Sequence, residues 1–392
     1  MIKVVLRHGK DEAVRRFHPW IFSGAIKEIS EQPADGDVVE VYSAKREYLG
    51  TGHFQDGSIT VRLFDFAHKE INFEFWKEKL QRAYNYRTEI GLTDNIQTNA
   101  YRLVFGEGDG LPGLIVDFYN GTAVIQAHSI GMHRIKNEIA QALKEIYGDK
   151  LKAVYYKSAE TLPAKAAENS EDGYLLGAKE ETIITENGNN FAINWETGQK
   201  TGFFVDQRDN RTLLAKYSKD KKILNTYCYS GSFSVYALNA GATMVHSVDS
   251  SKKAIELTEK NIELNGYAGS KHISFADDAQ KFIEKSKELY DIVILDPPAF
   301  AKHNAARHNA IQGYKRLNAD ALRLVKSGGM LFTFSCSQVI DRNLFNSTVI
   351  SAAILSGRNV RIMHQLSQPA DHPINAYHPE GQYLKGLVLY VE

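Results

Sequence analysis

Two short elements late in the chain carry the residues best suited to covalent chemistry. Asp296-Pro297-Pro298-Ala299-Phe300 follows the strand-like run 291–295, and Ser335-Cys336-Ser337 follows Leu331-Phe332-Thr333-Phe334. Consecutive prolines fix φ and remove two amide donors, so the backbone leaves a strand along a rigid, extended path. That path presents Asp296 and nearby carbonyls to a planar group, on which Phe300 is placed to stack. A cysteine at a strand end is often buried filler, but here Cys336 and Asp296 close successive strands that would flank one cleft. Carbon 5 of a pyrimidine is a poor nucleophile. A thiolate that adds at carbon 6 breaks the aromaticity and makes carbon 5 enamine-like, able to take a methyl group. Removal of the carbon 5 proton then expels the thiolate, and cysteine is both nucleophile and fair leaving group. Asp296 in such a site hydrogen-bonds the base edge and stabilises charge developing on the ring. The other cysteine, Cys228, sits in an earlier turn and reads as packing.

The elements that must position this pair alternate. Strands are expected at 222–226, 243–248, 273–276, 291–295 and 329–334, with helices at 231–241, 251–266, 279–289 and 305–325. Such alternation implies βαβ units and a mainly parallel, doubly wound sheet with helices on both faces. Ligands of these sheets sit at the carboxyl ends of the strands. After the first strand comes Asn225-Thr226-Tyr227-Cys228-Tyr229-Ser230-Gly231, and after the second comes Asp249, placed to accept from two ribose hydroxyls. The strand ending at Ala276 delivers Asp277-Asp278, a carboxylate for an adenine amino group. The turn has Gly231 but no neighbouring glycine, so a pyrophosphate-binding G-x-G-x-x-G is absent and NAD is disfavoured. S-adenosylmethionine has no phosphate and needs only an open turn for its amino-acid tail. The alternative is that Asp249 and Asp278 are solvated loop carboxylates, which leaves their placement after successive strands unexplained.

The rest of the chain reads differently. Residues 1–72 are β-rich, with alternation at 37–42 and 59–64 and glycines at Gly36, Gly50, Gly52 and Gly57. Residues 73–188 mix a helix over 74–88, strands near 101–105, 114–118 and 123–128, and a helix over 132–146; residues 189–392 contain the alternating region. There are 47 Lys and Arg against 47 Asp and Glu, so the formal net charge is +0. A nucleic-acid ligand would therefore need a local basic patch. Residues 1–30 offer one: Lys3, Arg7, Lys10, Arg15, Arg16 and Lys27 face only Asp11, Glu12 and Glu28, with Phe17, Trp20 and Phe22 interleaved. Cations for phosphate and flat rings for unstacked bases are ingredients of RNA contact. Arg15 and Arg16 are the stronger candidates, and Trp20 and Phe22 read as packing. Two cysteines make neither a disulfide framework nor a cysteine zinc site, so no metal is expected. With no apolar run of membrane-spanning length, and no signal peptide at the N-terminus, the expectation is a cytoplasmic protein without a membrane partner.

Several of these motifs, in order, resemble the RlmI-like family of large-subunit ribosomal RNA cytosine-5 methyltransferases. They include Arg16-Phe-His-Pro-Trp-Ile-Phe-Ser-Gly24, Gly198-Gln-Lys-Thr-Gly-Phe-Phe-Val-Asp-Gln-Arg208, Ser335-Cys-Ser337, Ala370-Asp-His-Pro373 and Pro379-Glu-Gly-Gln-Tyr-Leu-Lys-Gly386. The resemblance implies a PUA-type RNA-binding domain over 1–72, a central α+β domain over 73–188 and a Rossmann-like methyltransferase domain over 189–392. It implies Cys336 as nucleophile, with Asn225, Tyr227, Tyr229, Ser230, Gly231, Asp249, Asp278 and Asp296 around S-adenosylmethionine. It also implies 23S rRNA as substrate. Lys200, Gln207 and Arg208 become candidates to line the cleft on the resemblance alone, and a homodimer is left open.

Two other readings compete. Amine methylation of a base would use Asp296-Pro297-Pro298 and would not need Cys336. A non-catalytic RNA-binding protein would need only the N-terminal module, leaving Asp249, Asp278, Asp296 and Cys336 without a purpose. A small-molecule methyltransferase has no use for the N-terminal regions.

Overall fold

Alternating side chains at 38–42 and 59–65 form strands in the computed structural model, which describes residues 1–163, 170–179, 183–267, 269, 271–301 and 303–392. The chain divides into two compact units. One comprises Met1–Thr182, Asn194–Val205 and Ala370–Gly381, and the other Ile183–Ile193, Asp206–Pro369 and Gln382–Glu392.

The first unit contains a six-stranded sheet and a five-stranded sheet, each with its own core. The six-stranded sheet runs in the order Trp20–Phe22, Ile59–Asp65, Tyr48–Phe54, Val38–Tyr42, Ile2–Leu6, Ile26–Ile29. Its inner face buries Val4, Leu6, Val39, Val41, Val61 and Leu63. The five-stranded sheet is covered by the helices Phe73–Glu89 and Lys136–Tyr147, which bury Trp76, Leu80, Ile139 and Leu143 among Leu103, Val116 and Ile125. The first of these helices is capped by Asn72, whose side chain accepts from the Phe75 amide. The single helix expected over 132–146 is instead two, Ile130–Arg134 and Lys136–Tyr147, because Ile135 leaves the helical region (φ −97°, ψ 15°).

Residues 370–381 belong to this unit although they lie near the end of the chain. The buried Arg87 guanidinium pairs with Asp109 and donates to the Asp371 carbonyl at 2.7 Å, and the Asp371 carboxylate accepts from the Arg102 amide at 3.0 Å. A Cβ at Gly108 would lie 1.9 Å from the Pro373 carbonyl oxygen, so only glycine allows the segment to lie this close.

The second unit is built on seven strands: β1 (Lys222–Thr226), β2 (Met244–Asp249), β3 (His272–Ala276), β4 (Tyr290–Leu295), β5 (Val325–Ser335), β6 (Val360–Ser367) and β7 (Lys385–Val391). Their spatial order is β3-β2-β1-β4-β5-β7-β6. Neighbours from β3 to β5 are parallel, and β7 is antiparallel to both β5 and β6. The parallel alternation matches the sequence pattern, and the switch in strand order falls between β1 and β4, where ligands of doubly wound sheets bind. Helix Arg342–Ser356, β6 and β7 are elements that the sequence reading did not include. A hairpin, Ile183–Glu186 with Asn189–Ala192, joins this unit from an earlier part of the chain.

Candidate active site

The turn after β1 takes its shape from backbone conformation. Tyr227, Tyr229 and Gly231 all have positive φ (55°, 47° and 68°), so every second residue is left-handed as the chain enters helix Ser232–Asn239. A left-handed non-glycine residue costs about 1–2 kcal/mol, and such strain persists only where neighbours hold it. Helix Lys252–Leu264 supplies those neighbours. Thr258 donates to the Tyr229 carbonyl at 3.0 Å and Asn261 to the Ser230 carbonyl at 2.9 Å. A Cβ at Gly231 would lie 2.6 Å from Thr258 Cγ2, which requires glycine twice over.

Asp249, at the end of β2, closes the other side of this turn. Its carboxylate accepts the Tyr229 amide at 3.0 Å and the Ser251 amide at 2.9 Å, and it remains partly exposed. Asp278 is exposed and caps helix Ala279–Lys285 by accepting from the Lys281 amide at 2.9 Å. Burial raises the Tyr227 hydroxyl above the usual tyrosine range, and the charges of Asp278, Tyr314 and Asp249 raise it further. Tyr227 thus lies within the field of both carboxylates. The Asn225 side chain is buried under the turn, donates to Ser234 at 2.8 Å, and keeps its Oδ1 without a partner. A strained open turn, a buried spare acceptor and two carboxylates at successive strand ends fit the amino-acid tail, ribose and adenine of a nucleoside methyl donor.

Asp296 and Cys336 come together because β4 and β5 are parallel neighbours, with Leu295 opposite Thr333. Each residue follows directly on its strand and each is partly exposed. Gln207 Nε2 donates to Asp296 Oδ2 at 3.0 Å, so of the three cleft candidates Gln207 stands beside the motif. The Tyr314 hydroxyl lies within the electrostatic field of both. Burial pushes it up to about 12, and the charges of Cys336 and Asp296 add to the shift against the hydrogen bond from Ser335 (3.0 Å).

Lys385 is the residue at this centre to which the sequence reading gave no role. It opens β7 opposite Ser335, is buried, and donates to the Ser337 carbonyl at 2.6 Å and the Tyr383 carbonyl at 2.8 Å. Burial lowers it to about 8, opposed by the negative field of Cys336. A cysteine beside a lysine ammonium is one of the surroundings in which thiolates serve as nucleophiles. Its signal in the sequence was a lysine inside an otherwise apolar strand, but locating it beside Cys336 required the antiparallel β5–β7 pairing.

Other candidates lie elsewhere. Cys228 is buried, in contact with Thr258 at 3.5 Å, and burial pushes its thiol up to about 12, which suits the packing role. The Phe300 ring packs on Tyr314 (centroids 4.5 Å apart), so it supports that hydroxyl as well as edging the site. Arg208 is buried, with Nε 3.4 Å from Glu186, and that environment is one of framework rather than solvent. Lys200 belongs to the first unit, where its ammonium lies 5.0 Å from the Phe204 ring centroid.

Also in the first unit, Arg15 is committed to ion pairs with Asp11 and Glu47, whereas Arg16 extends into solvent, with Glu12 4.0 Å away. A groove of about 640 Å³ is lined by Phe17, Phe66 and Tyr377 together with Lys69, Lys79 and Arg82. Phe17 and Tyr377 are half exposed, with ring centroids 5.3 Å apart. Phe17 has φ +64°, which turns the chain sharply at this residue. Among the described residues, no helix is long and apolar enough to cross a membrane.

Comparison with known proteins agrees with this geometry. Residues 4–66 match a PUA-like domain, and residues 149–376 match an S-adenosylmethionine-dependent methyltransferase family. The chain is 38% identical to the ribosomal RNA large subunit methyltransferase I of Alteromonas mediterranea, covering 99% of this chain and 98% of that protein. It is also 38% identical to the protein of that name from Aeromonas hydrophila, over 98% of each. In fold it resembles a Streptococcus mutans structure assigned as a SAM-dependent methyltransferase, with a TM-score of 0.85, 22% identity, and coverage of 99% of this chain and 100% of that one. With S-adenosylmethionine as its methyl donor, the chain belongs to the S-adenosylmethionine-dependent methyltransferases, in the family of the ribosomal RNA large subunit methyltransferase I proteins.

Proposed function

We propose that the chain methylates carbon 5 of a cytosine in large-subunit (23S) ribosomal RNA through a covalent Cys336–pyrimidine intermediate. The observation that carries this reading is the convergence of Cys336 and Asp296, at the carboxyl ends of β5 and β4, with Lys385 at the amino end of antiparallel β7. Bound S-adenosylmethionine supplies an electrophilic methyl group. Asn225 and the Tyr227–Gly231 turn are assigned to its amino-acid tail, Asp249 to the ribose and Asp278 to the adenine edge. Lys385 favours the charged form of the thiol, which adds to carbon 6. Asp296, held by Gln207, steadies the base edge while charge develops on the ring. An amine methyltransferase would need Asp296 but neither the thiol nor the buried ammonium beside it.

RNA is assigned to the first unit. Phe17 and Tyr377 offer stacking faces, while Lys69, Arg82 and the exposed Arg16 offer charge for phosphates. The names of the full-length relatives, and the PUA-like match, support ribosomal RNA as the substrate class. The test is methyl transfer from labelled S-adenosylmethionine to rRNA from cells lacking the protein, with the product nucleoside identified by mass spectrometry. 5-Methylcytosine in the large-subunit RNA is the expected product; a methylated exocyclic amine would transfer the reading to the amine chemistry.

The donor site makes a separate prediction. Asp249→Ala should weaken S-adenosylmethionine binding at least tenfold, about 1.4 kcal/mol, because it removes charge-assisted acceptors and releases the Tyr229 amide that shapes the turn. Calorimetry on the folded variant checks it, and unchanged affinity would remove Asp249 from the site.

A further inference from the structure

The motifs around His18 and His378 lie at opposite ends of the chain and take no part in the chemistry above, yet the fold of the first unit brings them together. His18, His378 and Glu380 each direct one ligand atom into a common space, all within 4.8 Å of one another. His18 Nε2 is 3.5 Å from one Glu380 oxygen and His378 Nε2 is 3.7 Å from the other. These separations are long for hydrogen bonds, whose N···O distances centre near 2.9–3.0 Å. They match the roughly 3.4 Å edge of a tetrahedron whose metal–ligand bonds are about 2.0–2.2 Å.

His378 gives a second, independent indication. It is only 2% exposed, and neither ring nitrogen has a hydrogen-bond partner. Leaving a buried polar group unsatisfied is costly, and a cation at Nε2 would remove part of that cost. The Trp20 ring packs against the His378 ring (centroids 4.2 Å apart) and fixes its plane, while Trp20 Nε1 is itself anchored on Glu107 at 2.8 Å. His18 Nδ1 faces both the Trp20 amide (3.2 Å) and the Trp20 carbonyl (3.4 Å). The metal-binding tautomer is the one that donates to the carbonyl, the usual support for a ligating histidine.

We propose that His18, His378 and Glu380 form a zinc site with a fourth position for water. Two imidazoles and a carboxylate suit zinc, and three protein ligands leave one position open. The cation would clamp residues 370–381 to the N-terminal module and set the spacing of Phe17 and Tyr377, the chain neighbours of the two histidines. No metal was expected from the sequence because the donors come from distant motifs and include no cysteine.

The test is calorimetric titration of the chelator-stripped full chain with zinc chloride. Wild type should take up one equivalent with a dissociation constant of micromolar or below, and zinc should raise its melting temperature. Thiolates are also zinc ligands, so Cys336→Ala is titrated in parallel and should keep the site. Glu380→Gln, a conservative change at a half-exposed side chain, should weaken binding at least tenfold, and His378→Ala should abolish it. Absence of a one-equivalent site in wild type overturns the proposal whatever the variants do. So does a site that survives both Glu380→Gln and His378→Ala, or one lost in Cys336→Ala.

Discussion

Cys336→Ala should abolish methyl transfer, by at least about 10³-fold or roughly 4 kcal/mol of barrier, while leaving the fold and S-adenosylmethionine binding intact. The loss is large because no neighbouring group can replace the thiolate. Cys228 is buried with its thiol pushed up to about 12, and Asp296, with its hydrogen bond from Gln207, is too poor a nucleophile for carbon 6. Cys228→Ala should therefore retain activity. A substrate RNA with fluorine at carbon 5 of the target pyrimidine isolates the mechanism. After methyl transfer no proton remains to be removed, elimination stalls, and the enzyme stays attached to the RNA. The adduct should survive denaturing electrophoresis, require S-adenosylmethionine and map by peptide mass to Cys336. Near-normal turnover in Cys336→Ala, with no adduct in wild type, would sink the covalent mechanism and favour the exocyclic amine. Lys385→Met should lower the rate of thiolate addition, and raising the pH should recover part of the loss as the thiol ionises without help.

The second large effect is on stability. Glu186 is fully buried and accepts from Arg211 Nε at 2.8 Å and Nη2 at 2.9 Å, and from the Tyr236 hydroxyl at 2.9 Å, with Arg208 at 3.4 Å. Removing one partner of a buried ion pair leaves an uncompensated charge and costs about 3–5 kcal/mol. Glu186→Ala should accordingly destabilise the second unit by that amount, on the order of 10 °C in its melting transition at this size. Replacing the pair together, as Glu186→Leu with Arg211→Met, should recover part of the loss, since the desolvation cost of both charges disappears with them while the buried Arg208 loses the Glu186 carboxylate. Urea denaturation of wild type and both variants checks this, and a loss under about 1 kcal/mol in Glu186→Ala would show the network to be dispensable. Tyr236 lies on the helix that starts at Gly231, so melting of the network should also loosen the donor turn.

Local pattern was enough to read the features of this protein that depend on neighbouring residues. Alternating strands and helices after residue 220 specified a parallel, doubly wound sheet because strand pleat and helix period are local properties. The same periodicity put Asn225, Asp249, Asp296 and Cys336 at strand ends, and ligands of such sheets gather at that edge. Gly231 signalled a tight turn for the same reason: only glycine meets its positive φ and its contact with Thr258 without cost.

Which distant residues meet depends on packing between remote segments. Lys385 stands beside Cys336 because β7 inserts antiparallel against β5, a pairing that no local pattern encodes. Glu186, Arg208 and Arg211 look like surface charges in the sequence, yet the hairpin after residue 182 packs them into the interior, where one carboxylate faces both guanidiniums. Arg15 counted toward a basic patch until the fold set Asp11 and Glu47 against it. His18 and His378 share one carboxylate because residues 370–381 leave the second unit and join the first. Charge and coordination are settled by distance in space, and distance in space between remote segments is what packing supplies.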